Sequence, residues 1–103
     1  MKLNSFSPIP EDDEELHLPE LVYWSSLGEI DEVEKSLNNG IDVNQADNEG
    51  YSALQAAAEN GYLDIVKLLV SKGAEVEHKS PHTALELAEM AEQKDIVEYL
   101  KSL

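Results

Sequence analysis

At 103 residues the chain has room for one small domain, and a globular domain of that size is only marginally able to bury a core. It contains no cysteine, which excludes disulfides and four-cysteine metal sites and suits a reducing compartment. Against 22 acidic residues stand 7 basic ones, all lysine, for a net charge of −15, a balance that repels nucleic-acid phosphates and anionic membranes and attracts basic proteins.

The charge is uneven. Residues 1–50 hold 13 acids and 2 lysines, whereas residues 51–103 hold 9 acids and 5 lysines. Solubility and a partner-directed field both account for such a surface. No apolar run approaches the roughly 20 residues of a membrane-spanning helix, and the first residues lack a basic-then-apolar signal pattern. A cytoplasmic protein is expected.

Residues 1–10 (MKLNSFSPIP) hold two prolines and two serines without periodicity and read as an extended lead-in, with Phe6 and Ile9 available to lie against the first helices. Glu11 to Glu15 is a block of five like charges, either a solvated tail or a docking strip for a basic partner. From Pro19 to Asn39 the pattern is two short helices. Leu21, Trp24 and Leu27 are expected to face inward on the first, Gly28 breaks the pair, and Ile30, Val33 and Leu37 line the second. Glu29, Asp31, Glu32 and Glu34 give that second helix an acidic outer face.

Asn39-Gly40 stops this helix, and a long turn comes next, its tip running from Gln45 through Ala46, Asp47, Asn48 and Glu49 to Gly50 and Tyr51. Tyrosine is an effective contact residue, so Tyr51 reads either as a partner anchor or as a ring packed on the neighbouring turn. Ser52 is placed to cap a third helix through Leu54, Ala57 and Ala58, ended by Asn60-Gly61. A fourth starts near Leu63 with a broad apolar face of Ile65, Val66, Leu68, Leu69 and Val70, and Lys72-Gly73 ends it.

The second turn, Gly73 to Thr83, is two residues shorter and contains Pro81, which predicts a blunter projection. His78 and His82 stand four apart, but on a loop that spacing does not give a shared face and no further ligand has an obvious place, so no metal is expected. Thr83 is placed to cap a fifth helix with Leu85, Leu87 and Ala88, and Ile96, Val97, Tyr99 and Leu100 fill a sixth. Glu92 stands where a separating glycine is expected. Glu86, Glu89 and Glu92 read as the solvated cover of an end repeat, not as catalytic acids.

The helix pairs are copies of one another. Displacement by 33 residues pairs Leu21 with Leu54, Gly28 with Gly61, Asp31 with Asp64, Val33 with Val66 and Gly40 with Gly73; displacement by 31 pairs Ala57 with Ala88, Ile65 with Ile96 and Leu69 with Leu100. Within the middle copy, Asp47-x-x-Gly50-x-Ser52-Ala53-Leu54-Gln55-x-Ala57-Ala58-x-x-Gly61 resembles the opening of an ankyrin repeat. Asp64-Ile65-Val66-x-Leu68-Leu69 with Gly73-Ala74-x-Val76 is similar to its second helix and exit. The resemblance covers about Pro19 to Leu103 and departs from the family where Ser52-Ala53 replaces Thr-Pro. Gln55, Val22 and Glu86 stand where a turn-bracing histidine is usual, which leaves the bracing of the turns open.

The resemblance implies an all-α solenoid of about three helix-turn-helix repeats, at about 19–46, 47–79 and 80–103, behind an acidic segment 1–18. It also implies protein recognition by turn tips and inner helices. Carried onto this chain, the contact positions are Gln45, Ala46, Asn48, Glu49 and Tyr51 on the first finger, Glu59 and Asn60 on the middle inner helix, and Ser26 in the copy before it. Because nucleophile–base pairs, phosphate-binding glycine loops and basic stripes are missing from the sequence, a non-catalytic protein without cofactor is expected. A monomer that blocks or sequesters a basic protein, as an inhibitor or immunity protein does, is one reading; a generic adaptor module is the other.

Overall fold

A computed structural model describes residues 18–103; the expectations for Phe6, Ile9 and the Glu11–Glu15 block lie outside the described residues. Six helices succeed one another: α1 (Glu20–Leu27), α2 (Ile30–Asn38), α3 (Ala53–Asn60), α4 (Leu63–Ser71), α5 (Ala84–Met90) and α6 (Lys94–Lys101). Among the described residues, extended pairing is confined to one isolated antiparallel bridge, between Ala46 and Ser52.

None of these helices exceeds nine residues, too short to persist in isolation, so tertiary packing holds them. Their ends are nevertheless written locally. Ser52 and Thr83 each close a reciprocal capping box, with Gln55 and Glu86 respectively as the third-position partners. Pro19 stands just before α1 as its N-cap residue.

The odd-numbered helices pack side by side in one row, α1 on α3 and α3 on α5, while α2, α4 and α6 form a second, more sparsely touching row. Composition explains the difference. Ala53, Ala56, Ala57 and Ala58 of α3 are fully buried, and side chains this small let both neighbours approach closely. Between the rows lies one continuous core containing Leu21, Val33, Leu54, Ile65, Val66, Leu69, Ile96 and Leu100. No single helix pair could bury a core of this size; stacking supplies it.

The breaks between paired helices interlock. Gly28 and Gly61 adopt φ of 79° and 86°, the left-handed region that glycine enters most easily. Each also lies under a residue of the next repeat: a Cβ on Gly28 would fall 2.6 Å from the Tyr62 ring, and one on Gly61 2.7 Å from the Gln93 amide. Glu92, the counterpart of Gly61, has φ 61° with a full side chain and is exposed. Its break therefore survives without glycine.

One expectation is corrected and one open question answered. Leu27 does not face inward but is 49% exposed, because α1 ends there and the chain turns at Gly28. The turn bracing left open by the missing histidine is supplied by Gln55, which is buried, caps its own helix and donates its side-chain amide to the carbonyl of His82, 2.7 Å away in the next turn.

Candidate functional site

The first finger is built on Asp47. Its Oδ1 accepts the backbone N–H groups of Glu49 and Tyr51, both at 2.9 Å, while Asp47 N–H donates to Tyr51 O at 3.0 Å and Gly50 N–H to Asp47 O at 2.9 Å. A short carboxylate satisfying backbone donors two and four residues ahead is an Asx-type turn, and it explains why aspartate starts and glycine closes this tip. Asn48 and Glu49 are left exposed at the apex.

The second turn leans on the first. Ser80 Oγ donates to Glu49 O, and His78 Nε2 lies 2.7 Å from Gly50 O, so the tautomer protonated at Nε2 donates to that carbonyl. Asn44 Oδ1 accepts Glu75 N–H at 2.8 Å. These contacts span 28 to 31 residues of sequence. Sequence reasoning missed them, since the only signal for them was the repeat offset that sets one turn against the next.

Behind the tip, Ala46 is half-buried in the bridge to Ser52, and Gln45 turns away from solvent: its Oε1 accepts Leu21 N–H at 3.2 Å. That N–H belongs to the first turn of α1, where helices leave donors without internal partners. Of the sequence-predicted contact residues, Gln45 and Ala46 are thus tied into the frame, while Asn48, Glu49, Glu59 and Asn60 are exposed.

Tyr51 joins the two groups. The ring runs back from the finger, and its hydroxyl donates to Glu59 Oε1 at 2.6 Å, at the far end of α3. Burial pushes the phenol pKa well above its ordinary value, reinforced by the Glu59 hydrogen bond and by the charges of Glu59 and Asp47. Finger and inner helix therefore form one continuous surface, with Tyr51 as its bridge. Next to Glu59, the Asn60 amide donates to Ala56 O at 2.9 Å, and Gln93 Nε2 donates to Glu59 O at 3.2 Å. Ser26, the counterpart of Glu59 on α1, is half-buried and spends its hydroxyl on Tyr23 O at 2.8 Å.

No group of three or more histidine, aspartate or glutamate side chains able to hold a metal occurs among the described residues. Nor is any helix there long and apolar enough to cross a membrane. An open depression at the C-terminal end is lined by Glu89, Glu92, Lys94, Val97, Glu98 and Lys101, with Lys101 Nζ 3.9 Å from Glu89 Oε2.

Stacked helix pairs with projecting, cross-braced turns define a helical repeat protein of the kind that presents a surface to other proteins. Ankyrin repeats, in three copies, match residues 21–103, and the chain belongs to the ankyrin-repeat family. Ankyrin repeats are protein–protein interaction modules.

The chain is 37% identical over 81 residues to an acyl-CoA-binding domain-containing protein 6 homolog of Dictyostelium discoideum, covering 72% of this chain and 27% of that protein. It is 37% identical over 65 residues to acyl-CoA-binding domain-containing protein 2 of Arabidopsis thaliana, covering 63% and 18%. With ankyrin repeat and SAM domain-containing protein 6 of Mus musculus it shares 35% identity over 95 residues, covering 88% and 11%. The chain thus spans about a quarter or less of the length of these relatives.

Proposed function

We propose that this chain is a non-catalytic binding protein that recognises a basic protein partner through the first finger and the adjoining end of α3, and that it blocks or sequesters that partner. The observation that carries the reading is the Tyr51–Glu59 hydrogen bond, which holds an aromatic ring and a carboxylate in one rigid patch. A pre-ordered patch loses little side-chain freedom on binding. Around it the net charge of −15 supplies a field that favours cationic surfaces and speeds their encounter. A cytoplasmic monomer is the form we propose, in keeping with a chain that has no cysteine.

The adaptor reading is favoured by one observation: the relatives are far longer than the stretch they share with this chain. The two readings part on what binding does. A blocking protein abolishes the partner's own activity at equimolar ratio; an adaptor leaves that activity intact and adds a third component.

Low-salt affinity capture with mass spectrometry identifies the partner, and stopped-flow kinetics then test the surface. Rim charge governs association and a desolvated anchor governs dissociation. Glu49→Lys is expected to slow association and flatten its salt dependence, and Tyr51→Ala to raise the off-rate by a cost of about 1–3 kcal/mol. Glu34→Lys, on the outer face of α2, should do much less. Binding that survives both finger substitutions but is lost on deleting residues 1–15 would move recognition to the acidic segment.

A further inference from the structure

Each repeat meets the one before it through the same positions. On α5 these are Ala84, Leu87 and Ala88, all buried, and α5 packs on α3 and α6. Their counterparts 31 residues earlier are Ala53, Ala56 and Ala57 of α3, also buried. In the second row the matching positions are Ile96 and Leu100 of α6 and Ile65 and Leu69 of α4, buried as well. The first repeat has this face too, and among the described residues no repeat precedes it.

Its composition is different there. Glu20, Tyr23 and Trp24 replace the three alanines of α3, while Glu32 and Ser36 replace the isoleucine and leucine of α4. The polar part is closed within the repeat: Ser36 Oγ donates to Glu20 Oε2 at 2.6 Å, and Lys35 Nζ lies 3.7 Å from Glu32 Oε2. What remains is an aromatic pair, Tyr23 and Trp24, half-buried and meeting edge-on with centroids 4.9 Å apart. Helical spacing puts Glu20, Tyr23 and Trp24 on the side of α1 opposite the buried Leu21, Val22 and Ser25. Leu27 continues that side, but with Asn60 and Ala91 it holds a position exposed in all three repeats, so the patch is the aromatic pair.

A further repeat would need apolar partners where Glu32 and Ser36 stand. A lone aromatic pair suits a short apolar segment instead, and the chain has one in Leu3 to Ile9 (LNSFSPI). Residues 1–10 carry one lysine and no acid, whereas residues 11–103 hold 22 acids and 6 lysines. This short stretch is therefore drawn to the exposed Glu29, Asp31 and Glu34 of α2. Its reach suffices: the chain from Ile9 to Leu18 spans up to about 30 Å at about 3.3 Å per residue, and the eight residues of α1 are about 12 Å long.

We propose that residues 3–9 dock on the outer side of α1, with Phe6 and Ile9 on Tyr23 and Trp24, and take the place of a preceding repeat. A tethered segment acts at an effective concentration of about millimolar, whereas two copies at a net −15 each repel. The proposal is independent of the reading of the finger.

Trp24 is the only tryptophan, so its fluorescence reports on this face. The 103-residue protein is compared with the double variant Phe6→Ser, Ile9→Ser and with a protein lacking residues 1–10, helical circular dichroism serving as the control for folding. In both variants Trp24 emission is expected to move to the red and acrylamide to quench it more strongly. A peptide of residues 1–10, added to the truncated protein at about millimolar concentration, should reverse both changes. The same peptide with Phe6→Ser and Ile9→Ser should not. Emission and quenching unchanged in both variants would overturn the proposal, and a change on truncation that the double variant lacks would overturn Phe6 and Ile9 as the anchors. If protection of Trp24 in the parent instead grows with protein concentration, alongside a dimer in sedimentation, the cover is a second copy and the proposal falls.

Discussion

Gln55, on the first turn of α3, reaches across to the next turn and donates its side-chain amide to the backbone carbonyl of His82, 2.7 Å away. The same amide lies 3.4 Å from Ser80 O, and its oxygen accepts the N–H of Ser52 at 2.7 Å. One buried side chain thus caps its own helix and holds the neighbouring turn in place.

Gln55→Ala removes all of these bonds and leaves buried backbone groups without partners. A loss of about 2–3 kcal/mol is expected, read as a lower urea midpoint. Gln55→Glu keeps the capping acceptor but loses the donor to the next turn and brings a buried charge, so it should be no better than alanine. A neutral outcome for both would mean that the cross-turn bonds contribute nothing to stability.

Core and rim leucines should separate cleanly. Leu69 is fully buried, and Leu69→Ala is expected to cost about 2–5 kcal/mol, enough to unfold a short array or lower its melting temperature markedly. Leu27→Ala, at a half-exposed helix end, should stay within about 0.5 kcal/mol of the parent. Thermal melts of the two variants, monitored by helical circular dichroism, compare them directly.

The three helix breaks make a graded test. Gly28→Ala forces a Cβ to 2.6 Å from the Tyr62 ring at a φ of 79°, so its cost should exceed the roughly 1–2 kcal/mol of a left-handed alanine alone. Gly61→Ala meets the end of the Gln93 side chain, which has more room to move, and should cost less. Glu92→Gly relieves strain at φ 61° while loosening the unfolded chain, so it should be neutral or stabilising by up to about 1 kcal/mol. Chemical denaturation that ranks the three differently would contradict the interlocking of successive repeats.

Tyr51 should ionise above the ordinary tyrosine range. Folding raises its pKa, so the folded protein holds the phenol proton more tightly than the unfolded chain does. The resulting stability is complete below the ordinary tyrosine value of about 10 and is lost as pH rises beyond it. Tyrosinate absorbance on alkaline titration, compared between the parent and Tyr51→Phe, isolates this delayed step. Glu59→Gln should bring that step down without abolishing the delay, since burial is the larger cause. If Tyr51 ionises at the ordinary tyrosine value of about 10, the finger and α3 are not joined in solution as they are in the fold.

The helices, their order and most of their ends were legible in the sequence. Capping residues act on donors three positions away, and apolar periodicity and a 33-residue repeat are properties of the chain itself. So Ser52, Thr83 and Gly61 announced the ends they make, and Asp47 and Gly50 marked the first finger. Only the tertiary structure decided what those elements do to one another. It turned Leu27 outward, sent Gln45 back to α1, set Ser80 and His78 on the finger carbonyls and laid Tyr51 against Glu59. Except for the Tyr51 bond, which runs along the course of one helix, these contacts join residues 24 to 31 positions apart. Their partners are chosen by how one repeat seats on the next, and that seating depends on the small alanines of α3 and on Tyr62 and Gln93 covering the preceding glycines. Local propensity carries no information about it, because the energy of each contact exists only once the repeats have stacked.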